Sequence, residues 1–324
     1  MFLRSPAGNL PSLTAAVDVG ADAVYIGFDS ATNVRNFPGL NFSDEEVREG
    51  IAYAHDRGKQ VYITLNTYPL SSQIAECFRA VDAAHALDAD AVIMADMGLL
   101  EYCRDRYPDF RIHLSVQAGA ASAQAIRFYE REFRIACVIL PRSLTLDQIS
   151  SIRATTQIEL EVFAFGSLCA NYEGRCYLSS YLTGRSTNNF GACSPAEFLQ
   201  FEETDGGKLQ FLLNGTILNE YDQHEVCSYP TPCKGRLTNM TTGKFDYSFQ
   251  EPLSLNALPL LGELAQAGVD AIKIEGRQRS EVYVEGVTRI FREAIDHPGI
   301  ETGWEEELLP LCEGMRFSSG CLKR

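Results

Sequence analysis

The stretch "FGSLCANYEGRCYLSSYLTGRSTNNFGACSPAEF" (165–198) carries the strongest chemical signal in this 324-residue chain. Cys169, Cys176 and Cys193 are spaced C-x6-C-x16-C, and Cys227 and Cys233 come after them. Thiolates are soft donors, so four of them suit zinc or an iron–sulfur cluster. Zinc sites usually carry paired C-x2-C knuckles, and none is present. Spacing leaves Cys227 and Cys233 as alternatives for the fourth ligand. Cys77, Cys103 and Cys137 fall within expected helices or strands, where a thiol reads as a small core residue.

A second set of polar residues lies at the C-terminal ends of apolar runs. Arg35 and Asn41 follow the second run, Asn66 ends the third and Asp96 the fourth. Ser115 and Gln117 end the fifth, Arg142 follows the sixth, and Glu275, Gly276 and Arg277 follow the last. Glu275, Asp96 and Gln117 are the candidate catalytic residues. Arg35, Asn66, Arg142 and Arg277 are the candidate substrate-binding residues. Three guanidinium groups around one mouth would suit a ligand carrying carboxylates. Taken singly, each residue also has a plainer reading as a helix cap, a loop hydrogen bond or a solvated side chain. The five histidines show no metal spacing. Neither G-x-S-x-G nor H-E-x-x-H occurs, so a serine hydrolase or a zincin has no support.

These residues need a scaffold. Apolar runs at 1–5, 22–28, 60–66, 90–96, 111–117, 136–141, 160–166 and 271–276 read as eight short strands separated by helical patterns. Continuous Val, Ile and Leu suit strands buried on both faces of a parallel sheet. Ser43 with Glu46, and Thr145 with Gln148, have capping-box spacing. The expectation is an α/β fold, a (β/α)8 TIM-like barrel over 1–297 with a C-terminal tail over 298–324. A doubly wound open sheet is the runner-up, but the first βα turn lacks G-x-G-x-x-G. A cysteine-bearing insertion over 167–252 interrupts the barrel between strands seven and eight. It carries a hairpin signal at Asn214-Gly215. In a barrel, such an insertion covers the active-site face. "SLNALPLLGELAQAGVD" (254–270) reads as a helix.

Composition narrows the function. Apolar residues are 45% and charged residues 22%, with a net charge of −15. So acidic a surface repels phosphate backbones, and nucleic acid is disfavoured as a partner. No apolar run is long enough to span a bilayer and no signal-peptide pattern opens the chain, so the expected location is cytoplasmic.

"SPAGN", "GADAVYIG", "LEVFAFGSLCANYEGRCYLSSYLTG", "GACSPA", "PTPCKGR" and "IKIEGRQRS" together resemble the peptidase U32 (collagenase-like) family. Within it they are most similar to the branch acting in oxygen-independent ubiquinone biosynthesis. The resemblance covers about residues 3–297, and the tail is not matched. It implies a [4Fe-4S] cluster on Cys169, Cys176, Cys193 and Cys233, with Cys227 lacking a counterpart. It also implies a heterodimer with a UbiV-like U32 protein, and a UbiT-like lipid-carrier accessory protein that presents a prenylated ubiquinone precursor. The implied reaction is O2-independent ring hydroxylation with prephenate as the oxygen donor. A U32-type protease, an RNA-modifying hydroxylase and a non-catalytic iron–sulfur scaffold subunit are the alternatives.

Overall fold

The eight apolar runs become the staves of a closed parallel barrel. In the computed structural model, which describes residues 1–37, 39–173, 175–190, 193–299, 303–314 and 316–323, the strands run in chain order. They are β1 (Phe2–Pro6), β2 (Ala23–Ile26), β3 (Gln60–Leu65), β4 (Ala91–Met94), β5 (Ile112–Leu114), β6 (Cys137–Ile139) and β7 (Glu159–Ser167). The insertion adds β8 (Leu199–Glu203), β9 (Leu209–Leu213), β10 (Thr216–Tyr221), β11 (Arg236–Thr238) and β12 (Phe245–Tyr247). Then come β13 (Ser254–Asn256), the last stave β14 (Ala271–Ile274), and β15 (Phe317–Ser318) in the tail. β14 pairs in parallel with both β1 and β7, which closes the ring.

Helices cover the outside: α1 (Leu10–Asp18), α2 (Asp44–His55), α3 (Ile74–Ala86), α4 (Met97–Arg106), α5 (Ala123–Phe133) and α6 (Leu146–Arg153). Further along are α7 (Tyr177–Thr183) and α8 (Thr187–Phe190) in the insertion, then α9 (Leu261–Gln266), α10 (Glu281–Asp296) and α11 (Trp304–Leu308). Both expected capping boxes form, Ser43 with Glu46 and Thr145 with Gln148, each satisfying amides that the first helical turn leaves unpaired.

The insertion is more ordered than one hairpin. Asn214 and Gly215 turn with φ of 48° and 76°, as a two-residue hairpin loop requires, and join β9 to β10. β8 then adds to β9, and β11 pairs with β12. The expected helix over 254–270 is corrected at its start. Residues 254–256 form β13, antiparallel to β7, and Pro259, which lacks an amide donor, holds the α-helix off until Leu261. The tail packs on the barrel: β15 pairs with β13, and Leu322 is buried.

The barrel interior departs from the usual packing of branched aliphatics. Arg4, His113, Cys137, Glu161 and Lys273 are all buried within it. Arg4 bridges Glu159 and Glu161, and Lys273 Nζ lies 2.9 Å from Glu161 Oε1. This charged layer lies beneath a cavity at the barrel mouth.

Candidate functional site

The cavity opens at the C-terminal ends of the strands, and the insertion closes over it. Its floor is Tyr25, Thr64, Ile93, Ile139, Phe163 and Lys273, the inward residues of β2, β3, β4, β6, β7 and β14. Its wall brings together Arg35, Asn66, Gln117, Arg142, Glu275 and Arg277, and its roof holds Cys169, Cys176, Cys193 and Cys233. Every candidate catalytic, binding and ligand residue is therefore placed around one space except Asp96. That carboxylate caps α4, accepting from the Leu99 amide at 3.1 Å, and does not line the cavity. The placement has a simple cause: a residue between strand and helix is also the residue that must satisfy the helix's first amides.

The cysteines reach the cavity from separate segments: the exit of β7, the N-cap of α7, the loop after α8 and the turn before β11. All four thiols, Cys169, Cys176, Cys193 and Cys233, line the same space. Cys227 is exposed and does not line the cavity. Burial pushes the Cys176 thiol up, opposed by the Ser179 and Leu178 amides. Burial also pushes up Cys233, opposed by the Thr231 hydroxyl and the Lys234 ammonium. Thiols so placed need a bound cationic centre to become thiolates.

A structural zinc can be held by four thiolates, and a cubane cluster is likewise usually held by four cysteines. Four cysteines lining one space fit either group.

A tighter donor group does occur: His113, Cys137 and Glu161 offer ligand atoms within 4.8 Å of one another. Its surroundings oppose a cation. Glu161 is already paired with Arg4 and Lys273, and His113 is held far down by burial and by the charges of Arg4, Arg111 and Lys273. This layer is a buried ion network.

The arginines differ in what holds them. Arg277 Nη2 donates to Asn33 Oδ1 at 2.9 Å, while its Nη1 is buried with no partner. A Cβ on Gly27 would lie 2.4 Å from that Nη1, so glycine there makes room for the guanidinium. Burial pulls Arg277 down to about 10, which still leaves it cationic at neutral pH. Arg142 lies 3.7 Å over the Phe163 ring and pairs with Glu173 at 3.0 Å, tying the barrel wall to the loop between Cys169 and Cys176. Its Nε is also buried without a partner. Arg35 lies 3.6 Å from Glu275, and Asn41 Nδ2 donates to the Arg35 carbonyl at 3.0 Å.

Glu275 accepts from the Ser167 amide at 3.1 Å and from Gln278 Nε2 at 3.3 Å. Burial pushes its carboxyl up, but Arg35 and Arg142 outweigh burial and hold it below the usual range. A carboxylate so stabilised is a positioning group and a poor proton donor at neutral pH. Asn66 Nδ2 donates to Ser115 Oγ at 3.1 Å and its Oδ1 accepts from the Val34 amide, whereas Gln117 Oε1 is unpartnered. Gly276, with φ of 151°, packs against the Tyr283 ring, where a Cβ would come within 2.5 Å. That explains its presence without a ligand.

Lys273, Gln278 and Thr64, not singled out in the sequence, also line the cavity; Gln278 Oε1 and Thr64 Oγ1 are buried without a hydrogen-bond partner, while Lys273 Nζ is paired with Glu161. Orphaned polar atoms that face one space mark where a ligand's polar groups belong. The signal for Lys273 was present, since a lysine inside the buried run "AIKI" must point into the barrel.

The fold and this mouth define a TIM-barrel protein with a cysteine-lined active end. The sequence profile of peptidase family U32 matches residues 8–320, and the chain belongs to that family. The match includes most of the tail, which the sequence motifs did not reach. The chain is 31% identical to "tRNA hydroxylation protein P" of Escherichia coli (strain K12), over 99% of this chain and 74% of that protein. It is 34% identical to "Uncharacterized protease MJ0090" of Methanocaldococcus jannaschii, over 91% of this chain and 65% of that one. It is 31% identical to the Escherichia coli "23S rRNA 5-hydroxycytidine C2501 synthase", over 91% of this chain and 39% of that enzyme.

Proposed function

We propose that this chain is the iron–sulfur subunit of an O2-independent hydroxylase that acts on the aromatic ring of ubiquinone precursors. In this reading it is the UbiU-like half of a heterodimer with a UbiV-like U32 protein, and a UbiT-like lipid carrier delivers the prenylated ring. Prephenate is the oxygen donor. The observation that carries the reading is one cavity holding four cysteines above three arginines, two of them with unpartnered buried nitrogens. When bound, a [4Fe-4S] cluster supplies redox chemistry at the roof. Arg277 and Arg142 offer free donors to the carboxylates of a dianionic donor, Gln117 and Gln278 accept from its hydroxyl, and Glu275 keeps Arg35 in place.

The relatives named for RNA hydroxylation favour a second reading, in which the same chemistry acts on an RNA base. The net charge of −15 weighs against it, because an RNA-binding surface gains affinity by neutralising phosphates. Anaerobic turnover of the heterodimer with prephenate 18O-labelled at its hydroxyl tests both. The proposal expects label in the hydroxylated prenyl ring. Label in RNA and none in the ring would transfer the chain to the second reading.

A further inference from the structure

Beside the cysteine roof is a buried ion pair that joins three segments at once, and Lys234 itself lines the cavity. Lys234 follows the ligand position Cys233 directly, and its side chain is 2% exposed. Its Nζ donates to Ser167 Oγ at 2.7 Å and pairs with Glu313 Oε2. Ser167 ends β7, two residues before Cys169, and its Oγ donates to Glu313 Oε2 at 3.2 Å. Glu313 comes from the tail, where its own amide donates to Ser254 Oγ at 2.7 Å and the pairing of β15 with β13 anchors the chain just beyond it. The segment carrying Cys233 is also held from the other side, by Asn219 Nδ2 on the Lys234 carbonyl and by the Gln250 amide on the Cys233 carbonyl, both at 3.2 Å.

A buried ion pair is weak evidence for added stability, since desolvating two charges consumes most of their attraction. Its position is more informative. We infer that Lys234 and Glu313 form a charge clamp through which the C-terminal tail positions Cys233 and sets the electrostatic potential at the metal centre. The inference rests on the iron–sulfur reading of the roof. A cation one residue from a ligand favours the more negative, reduced form of a cluster, and a carboxylate behind it opposes that effect. The two members of the clamp are positioning residues that act with opposite sign.

The test uses the full chain purified anaerobically as wild type, Lys234→Gln and Glu313→Gln, both substitutions retaining hydrogen-bonding capacity. Iron and sulfide per chain are measured first, then the reduction midpoint from the visible band. Both variants are expected to keep wild-type iron, with the midpoint falling in Lys234→Gln and rising in Glu313→Gln. Shifts in the same direction, or no shift in either, overturn the inference, because mere loosening has no reason to change sign. If Lys234→Gln loses its iron, Lys234→Arg must keep both the iron and the wild-type midpoint, and failure there overturns it too. Absence of iron from the wild type would remove the iron–sulfur reading and this inference together, whereas iron with like-signed shifts removes this inference alone.

Discussion

At the scale of single residues, the site is defined by atoms left without partners. Arg277 is the sharpest case, with one nitrogen held by Asn33 and the other facing the cavity alone. A hydrogen bond from a charged donor is worth roughly 1.5–3 kcal/mol. Arg277→Ala should therefore weaken binding of the dicarboxylate donor about ten- to a hundredfold, measured by calorimetry on the iron-loaded chain. Arg277→Lys keeps the charge but loses the fork, so its affinity should fall between the two. Unchanged affinity in both would remove Arg277 from the donor site. Legibility at this scale was uneven. The cysteines and arginines stood out because chemistry-bearing types ended apolar runs. Lys234 and Glu313 did not, since 79 positions separate them and only the folded tail brings them together.

At the scale of elements, the strand ends decide which polar residues serve the cavity and which serve the backbone. Asp96 and Ser115 looked alike in sequence. Asp96 caps a ten-residue helix, whereas Ser115 caps only a short 3-10 turn and keeps its hydroxyl in the cavity wall. Asp96→Ala should cost about 1 kcal/mol in denaturant unfolding, as loss of an N-cap does, and leave turnover unchanged. A large loss of turnover without loss of stability would return Asp96 to the candidate catalytic residues. The eight staves were legible because parallel strands buried on both faces need unbroken apolar runs. β13 was not, being three residues long and fused in sequence to the amphipathic pattern after it. β8, β11 and β12 were hidden because they are short and mostly exposed, with too few apolar residues to set a period.

At the scale of the whole molecule, an acidic surface encloses a barrel whose axis is charged. Burial pushes the Glu161 carboxyl up, but Arg4 and Lys273 outweigh burial and hold it below its ordinary value. A folded-state pKa lowered in this way contributes stability that is present above the unfolded value, about 4.3. That contribution is lost as pH falls through the folded value. Wild-type stability in urea should accordingly decline below about pH 4.3, and Glu161→Gln, already destabilised, should decline less steeply there. Equal pH slopes for the two proteins would show that the axial network does not govern acid stability. The net charge is −15, and among the described residues no helix is long and apolar enough to cross a membrane. The proposed function stands on a cubane cluster held by the roof cysteines of the cavity. Anaerobic purification with iron, sulfide and visible-absorbance measurement tests this. About four irons and four sulfides per chain are expected, lost in Cys176→Ala and Cys233→Ala and kept in Cys227→Ala. Zinc in place of iron, or full iron retained by Cys233→Ala, would contradict it.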